Sequence, residues 1–216
     1  MKKILLMLLL VAGGKTIAYG QTEQGNVRIA GSFSISGNEY NSINNNSVNT
    51  SKNRSLSISP SVGFFIRENL EVGAGIGYGL FGQRSKYGTS SNKERGHSYN
   101  FSTYLRKYIP IIDKLYFHGT GTVSLGFGES LYEYRTDSSA TSKSETKFNF
   151  LSISLSPGIT YFVTDRFALS TSFGSIGYGR SVNKPKEASH TLSNSFGIDL
   201  GLETISFGLN YFINRQ

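Results

Sequence analysis

LEVGAGIGYGLFG, residues 70–82, is the stretch on which the fold turns. Leu70, Val72, Ala74, Ile76, Tyr78 and Leu80 fall on one side of a period of two, and Glu71, Gly73, Gly75, Gly77 and Gly79 on the other. Such alternation marks a strand with two unlike faces, because successive side chains of an extended backbone point to opposite sides. A helix would need apolar residues every three or four positions, and that spacing is missing.

The same period recurs on either side. Leu56, Ile58, Val62, Phe64 and Ile66 alternate with Ser and Gly across 55–66. Leu115, Phe117, Val123, Leu125 and Phe127 do so across 115–127, and Leu151, Ile153, Leu155, Ile159, Tyr161 and Val163 across 151–163. Weaker versions cover 27–36, 98–109, 167–183 and 189–213, which makes eight strands. Three connections are tight, at Arg67-Glu68-Asn69, Asp113-Lys114 and Thr164-Asp165-Arg166, while 37–53, 83–97, 128–146 and 184–188 are longer and polar. Short turns at one end and long connections at the other predict an antiparallel up-and-down sheet. Parity slips near Phe150-Leu151, Gly174-Ser175 and Glu203-Thr204 read as β-bulges, with a turn at 203–204 as the alternative.

Composition narrows the classes. The 216 residues are 17% charged and include 25 Gly, 13 Tyr, 15 Phe and no Cys. The charged fraction is well below the roughly 25% usual for soluble domains, and so many rings argue against disorder. Without Cys there is no disulfide, thiol nucleophile, Cys-ligated metal or lipidated anchor. The formal charge of +8 includes Lys2, Lys3 and Lys15, and the remaining surplus is dispersed over Ser/Asn-rich stretches. Solvated connections explain that dispersion, and no nucleic-acid partner is expected.

Residues 1–20 pair a basic start, Lys2-Lys3, with the apolar run Ile4–Ala12 and small residues at Ala18 and Gly20. This is the pattern of a cleaved secretory signal. The expected organisation is a signal over 1–20 and one β-barrel domain over 21–216.

The polar face distinguishes a soluble barrel from a membrane barrel. Ser, Gly, Thr and Asn occupy it where a solvated face would carry Lys, Glu, Asp and Arg, and between Ser55 and Gly63 and between Ser152 and Thr160 it holds no charge. Small residues of this kind suit the crowded interior of a narrow closed barrel, with the apolar face turned to lipid. Aromatics gather near the two ends of the strands, among them Phe65, Phe162, Phe167, Tyr211 and Phe212 beside the tight turns, and Tyr78, Phe81, Tyr99, Phe127 and Phe148 toward the long connections. Two interfacial girdles are the expectation.

On these features the chain resembles the small outer-membrane β-barrel-domain proteins of Gram-negative bacteria, across residues 27–213. The closing segment ISFGLNYFI, with Ile205, Phe207, Leu209, Tyr211 and Ile213 on one parity, resembles the terminal strand that the barrel-assembly machinery recognises in that family. The resemblance implies an eight-stranded transmembrane barrel in the outer membrane, with short periplasmic turns, longer extracellular loops, outer-membrane lipid around it and a monomeric state. It is nearly silent about activity, since one scaffold serves many functions.

Candidate chemistry is sparse. His118 has inward parity among many Ser, but no elbow motif singles out a nucleophile, so a hydrogen-bonded lumen histidine is the reading preferred over a hydrolase. No metal-ligand spacing and no cofactor loop occurs; the Gly-x-Gly runs lie within strands. Arg28, Glu71, Arg106, Asp199 and Glu203 share lumen parity and are expected to form a charge network, with Glu71 facing Arg106 and Arg28 facing the closing strand. Tyr104, Tyr108 and Tyr116 add inward bulk. The leading expectation is a non-enzymatic barrel that anchors hydrophilic surface segments for envelope integrity, adhesion or partner binding. A narrow channel or side-exit carrier for small or hydrophobic solutes comes second, and a lipid-modifying enzyme third.

Overall fold

A computed structural model describes residues 20–44, 47–136, 141–186, 189–199 and 205–213. All but the last residue of the expected signal, and the Glu203-Thr204 pair, lie outside these.

Ten strands form one antiparallel sheet, and no helix occurs among the described residues. They are β1 (Val27–Asn44), β2 (Ser47–Arg67), β3 (Leu70–Tyr87), β4 (Ser90–Ile112), β5 (Leu115–Arg135), β6 (Thr141–Phe162), β7 (Phe167–Phe173), β8 (Ser175–Pro185), β9 (Thr191–Asp199) and β10 (Ile205–Ile213). β7 and β8 both pair with β6, one above the other, and β10 and β9 pair with them in turn. The ten strands are therefore eight staves. β5 pairs with β6, and Val27–Gly31 of β1 pairs with Ile213–Leu209 of β10, so the ring closes at its tight-turn end.

The expected slip at Gly174-Ser175 is present. Gly174 has φ of 80° and separates β7 from β8. Even-numbered residues face inward before it, as Ala168 and Ser170 do, and odd-numbered ones after it, as Gly177 and Gly179 do. A parity change also separates β9 from β10. Those two strands run in the same direction. At Phe150-Leu151 the expectation fails: β6 is continuous and pairs with β5 without a shift from Thr141 to Tyr161. Phe148 and Phe150 thus share the inward parity of Ser152 and Ser154.

Strands run far beyond the apolar pattern. Segments expected to be long loops are mostly β-ribbon, reaching Asn44 and Ser47 in the first hairpin and meeting across Gly88-Thr89 in the second. A ribbon wet on both faces has no apolar side to alternate, so its cross-strand pairs carry it. Glu39 and Lys52 face each other in register and form a 2.9 Å ion pair. At the other end Asn69 and Lys114 take positive φ, 59° and 67°, to make the two-residue turns.

Faces are sharply unlike. Outside, Ile76, Leu125, Leu155 and Leu209 are exposed, whereas inside Phe65, Phe162 and Phe212 are fully buried. The core of this molecule is the lumen near the tight turns.

Candidate functional site

Strict parity brings side chains from most of the staves into the narrow lower lumen. Arg28 enters from β1, Phe65 from β2, Glu71 from β3, Tyr104, Arg106 and Tyr108 from β4, His118 and Thr120 from β5, Phe162 from β6, and Asn210 and Phe212 from β10. Gly63 and Gly73 make the space: a Cβ on Gly63 would stand 1.8 Å from Glu71 Oε1, and one on Gly73 would strike the Tyr104 ring.

Glu71 is the hub. Its Oε1 accepts from Arg28 Nε at 2.7 Å and from the Tyr104 hydroxyl at 2.6 Å, and its Oε2 accepts from the Tyr108 hydroxyl at 2.9 Å. Arg28 Nη2 donates to Tyr104 at 2.7 Å and Nη1 to Asn210 Oδ1 at 2.5 Å, tying the first stave to the last. Glu71 is 0% exposed and Arg28 3%, so the pair survives burial only because every oxygen and most donors are satisfied.

The expected partners are corrected in two respects. Glu71 and Arg106 stand opposite each other in register, yet the ion pair forms with Arg28. Arg106 instead donates to Thr120 Oγ1 at 2.8 Å and, at 3.4 Å, to the Tyr108 hydroxyl, and lies over the Tyr104 and Tyr108 rings. Arg28 reaches the closing stave through Asn210, while Asp199 sits exposed on β9 opposite Ser175. Glu203 lies outside the described residues.

His118 points inward and is 1% exposed. Its Nδ1 is 3.1 Å from Thr160 Oγ1, itself buried, and its Nε2 has no hydrogen-bond partner among the described residues. Among the described residues no carboxylate is hydrogen-bonded to the ring.

Beneath the ionic layer, Phe65, Tyr108, Tyr116, Phe162 and Phe212 pack ring on ring, with centroids 4.9 Å apart for Phe162 and Phe212. Phe65, Phe162 and Phe212 were expected in an outer girdle; they are the seal. Their parity gives the signal, since each continues the numbering of inward Ser, Gly or Asn on its own strand. Phe81 and Phe148 are likewise inward, 6.2 Å apart, with Phe148 lying over Gly128. Outward rings remain at both levels: Tyr78, Tyr99 and Phe127 stack near the ribbons, and Phe167 meets Tyr211 at 5.0 Å near the turns.

Residues 20–26 then cross the tight-turn mouth. Gly25 N donates to Phe65 O at 2.9 Å, Asn69 N to Thr22 O at 2.8 Å, and Gln21 Nε2 to Asp165 Oδ1 at 3.3 Å. Asn26 Nδ2 also donates to the Gly20 carbonyl. Above the plug the ring is less complete. No backbone pairing joins β1 beyond Gly31 to the closing stave among the described residues, and no Cα of β1 lies within 8 Å of one in β9.

No family model and no curated protein sequence matches the chain. Similar solved structures are outer-membrane proteins. OprG from Pseudomonas aeruginosa has 10% identity and a TM-score of 0.49, covering 93% of this chain and all of that one. A major outer membrane protein from Thermus thermophilus gives 10% and 0.45, over 88% of this chain and 100% of its own. The N-terminal β-barrel domain of Pseudomonas aeruginosa OprF gives 11% and 0.31, over 88% and 98%. At these scores the likeness is one of outline.

Proposed function

We propose that the chain is a non-enzymatic outer-membrane barrel, plugged at its periplasmic end, that holds long polar β-ribbons above the membrane for partner binding or envelope integrity. The outer face carries this reading. From Leu115 to Phe127 every outward residue is apolar or Gly, and Leu56–Ile66, Leu70–Gly82 and Asn149–Val163 present an equally uncharged outer face. Thirteen residues, 115–127, at about 3.4 Å each and tilted by about 45°, rise roughly 30 Å, the depth of a hydrocarbon core. Charges resume on that face toward the ribbons, at Arg54, Arg95, Glu129, Lys147 and Arg180. Lys107 breaks the belt only near its turn side, where a long side chain can snorkel.

Cysteine labelling tests the orientation, because the chain has no Cys of its own. On intact cells a membrane-impermeant maleimide should label Thr89→Cys at a ribbon tip and leave Asp113→Cys at a tight turn unlabelled. The reverse pattern would overturn the reading.

One observation favours a second reading, a side-exit carrier for apolar solutes. Among the described residues no backbone pairing joins the facing edges of β1 and β9, beside apolar Phe33, Ile35, Phe196 and Ile198, all exposed. Edges of this kind do not persist in lipid unless something lines or closes them. Fast hydrogen exchange of seam-facing amides in Ser32–Asn38, with slow exchange across β3, is the result that reading expects. Uniform protection would remove it.

A further inference from the structure

We propose that the lumen chamber above the plug binds a small free oxyanion of the phosphate, sulfate or carboxylate class, with Arg106 as its charged contact. A cavity of about 260 Å³ lies directly over the ionic layer, lined by Arg106, Thr120, Thr122, Ser102 and Asn100 among other polar groups. Its floor holds two guanidiniums, Arg28 and Arg106, against one carboxylate. Both Glu71 oxygens are already taken, by Arg28, Tyr104 and Tyr108. Arg106 has no carboxylate within 4 Å among the described residues, so one positive charge is left over in a confined space.

The guanidinium is also aimed. Thr120 holds Nε and Tyr108 holds Nη1, while the Tyr104 and Tyr108 rings flank the group at 5.7 and 5.9 Å. Nη2 has no protein acceptor among the described residues. Arginine carries five donors in a planar fork suited to two oxygens of one anion, and the surrounding hydroxyls and Asn100 amide can donate to the rest. Ser32 on the chamber wall is exposed, which gives the chamber a route to solvent. A volume of about 260 Å³ admits a small anion.

Calorimetric titration of the refolded full chain in zwitterionic detergent, first with sodium phosphate and then with sodium formate, tests this. The wild type should bind at least one of them saturably at a single site. Arg106→Gln should weaken that binding tenfold or more, with closure of the barrel checked by circular dichroism and heat-dependent gel migration. Should Arg106→Gln not fold, Arg106→Lys decides: it keeps the charge, loses the fork, and should bind several-fold more weakly. Absence of saturable binding by the wild type, or unchanged affinity in the folded Arg106 variants, would overturn the proposal. So would displacement of bound phosphate by phosphatidic acid in nanodiscs, which would make the ligand a lipid headgroup.

Discussion

Glu71 accepts three hydrogen bonds at zero exposure, and removing it leaves Arg28 buried and uncompensated. Glu71→Ala should therefore cost about 3–5 kcal/mol in a urea unfolding titration. A double-mutant cycle should couple Glu71 to Arg28 more strongly than to Arg106, since only Arg28 makes the 2.7 Å ion pair. Stronger coupling to Arg106 would mean that the register partner, and not the observed one, holds the plug. Glycines sort in the same way. Gly63→Ala would drive a Cβ into Glu71 and should cost about 1–3 kcal/mol, whereas Gly119, with nothing within 4 Å of its Cβ position, should accept Ala almost freely. Equal costs at the two sites would contradict the packing.

Elements were legible where one face is apolar. The alternation in 55–66, 70–82 and 115–127 gives both the strand and its facing, and so predicts that Ile76→Arg, in the middle of the belt, costs about 2–4 kcal/mol. Leu80→Arg, one register step from the charged level at Arg54 and Arg95, should cost about 0–1 kcal/mol. Refolding titrations into lipid vesicles compare them, and equal losses would displace the belt. The ribbons were illegible because a strand wet on both faces carries no periodic signal. Residues 37–44 and 47–53 hold Glu39, Lys52 and many Asn and Ser, a composition shared with loops. Phe148 and Phe150 misled for a related reason. Large apolar residues are expected outside a barrel, and only the Gly128 and Gly126 opposite them show that the lumen has room.

At the scale of the molecule, eight staves and their two unlike ends could be read from turn lengths and parity. The contents of the lumen could be read only in part. Period two names Arg28, Glu71, Arg106 and His118 as inward, but stagger between staves decides which of them meet. That stagger brings Arg28 to Glu71 and Asn210, and leaves Asp199 exposed opposite Ser175, at the turn-side end of β9. The result is a barrel closed twice below, by the Glu71 network and by the Phe65, Phe162 and Phe212 rings, with residues 20–26 across the mouth. A side-chain-filled lumen is what eight strands allow. Single-channel recording of the wild type in a planar lipid bilayer tests that account most directly. The barrel should insert and show no steady conductance, whereas persistent passage of small ions through the wild type would contradict the plug.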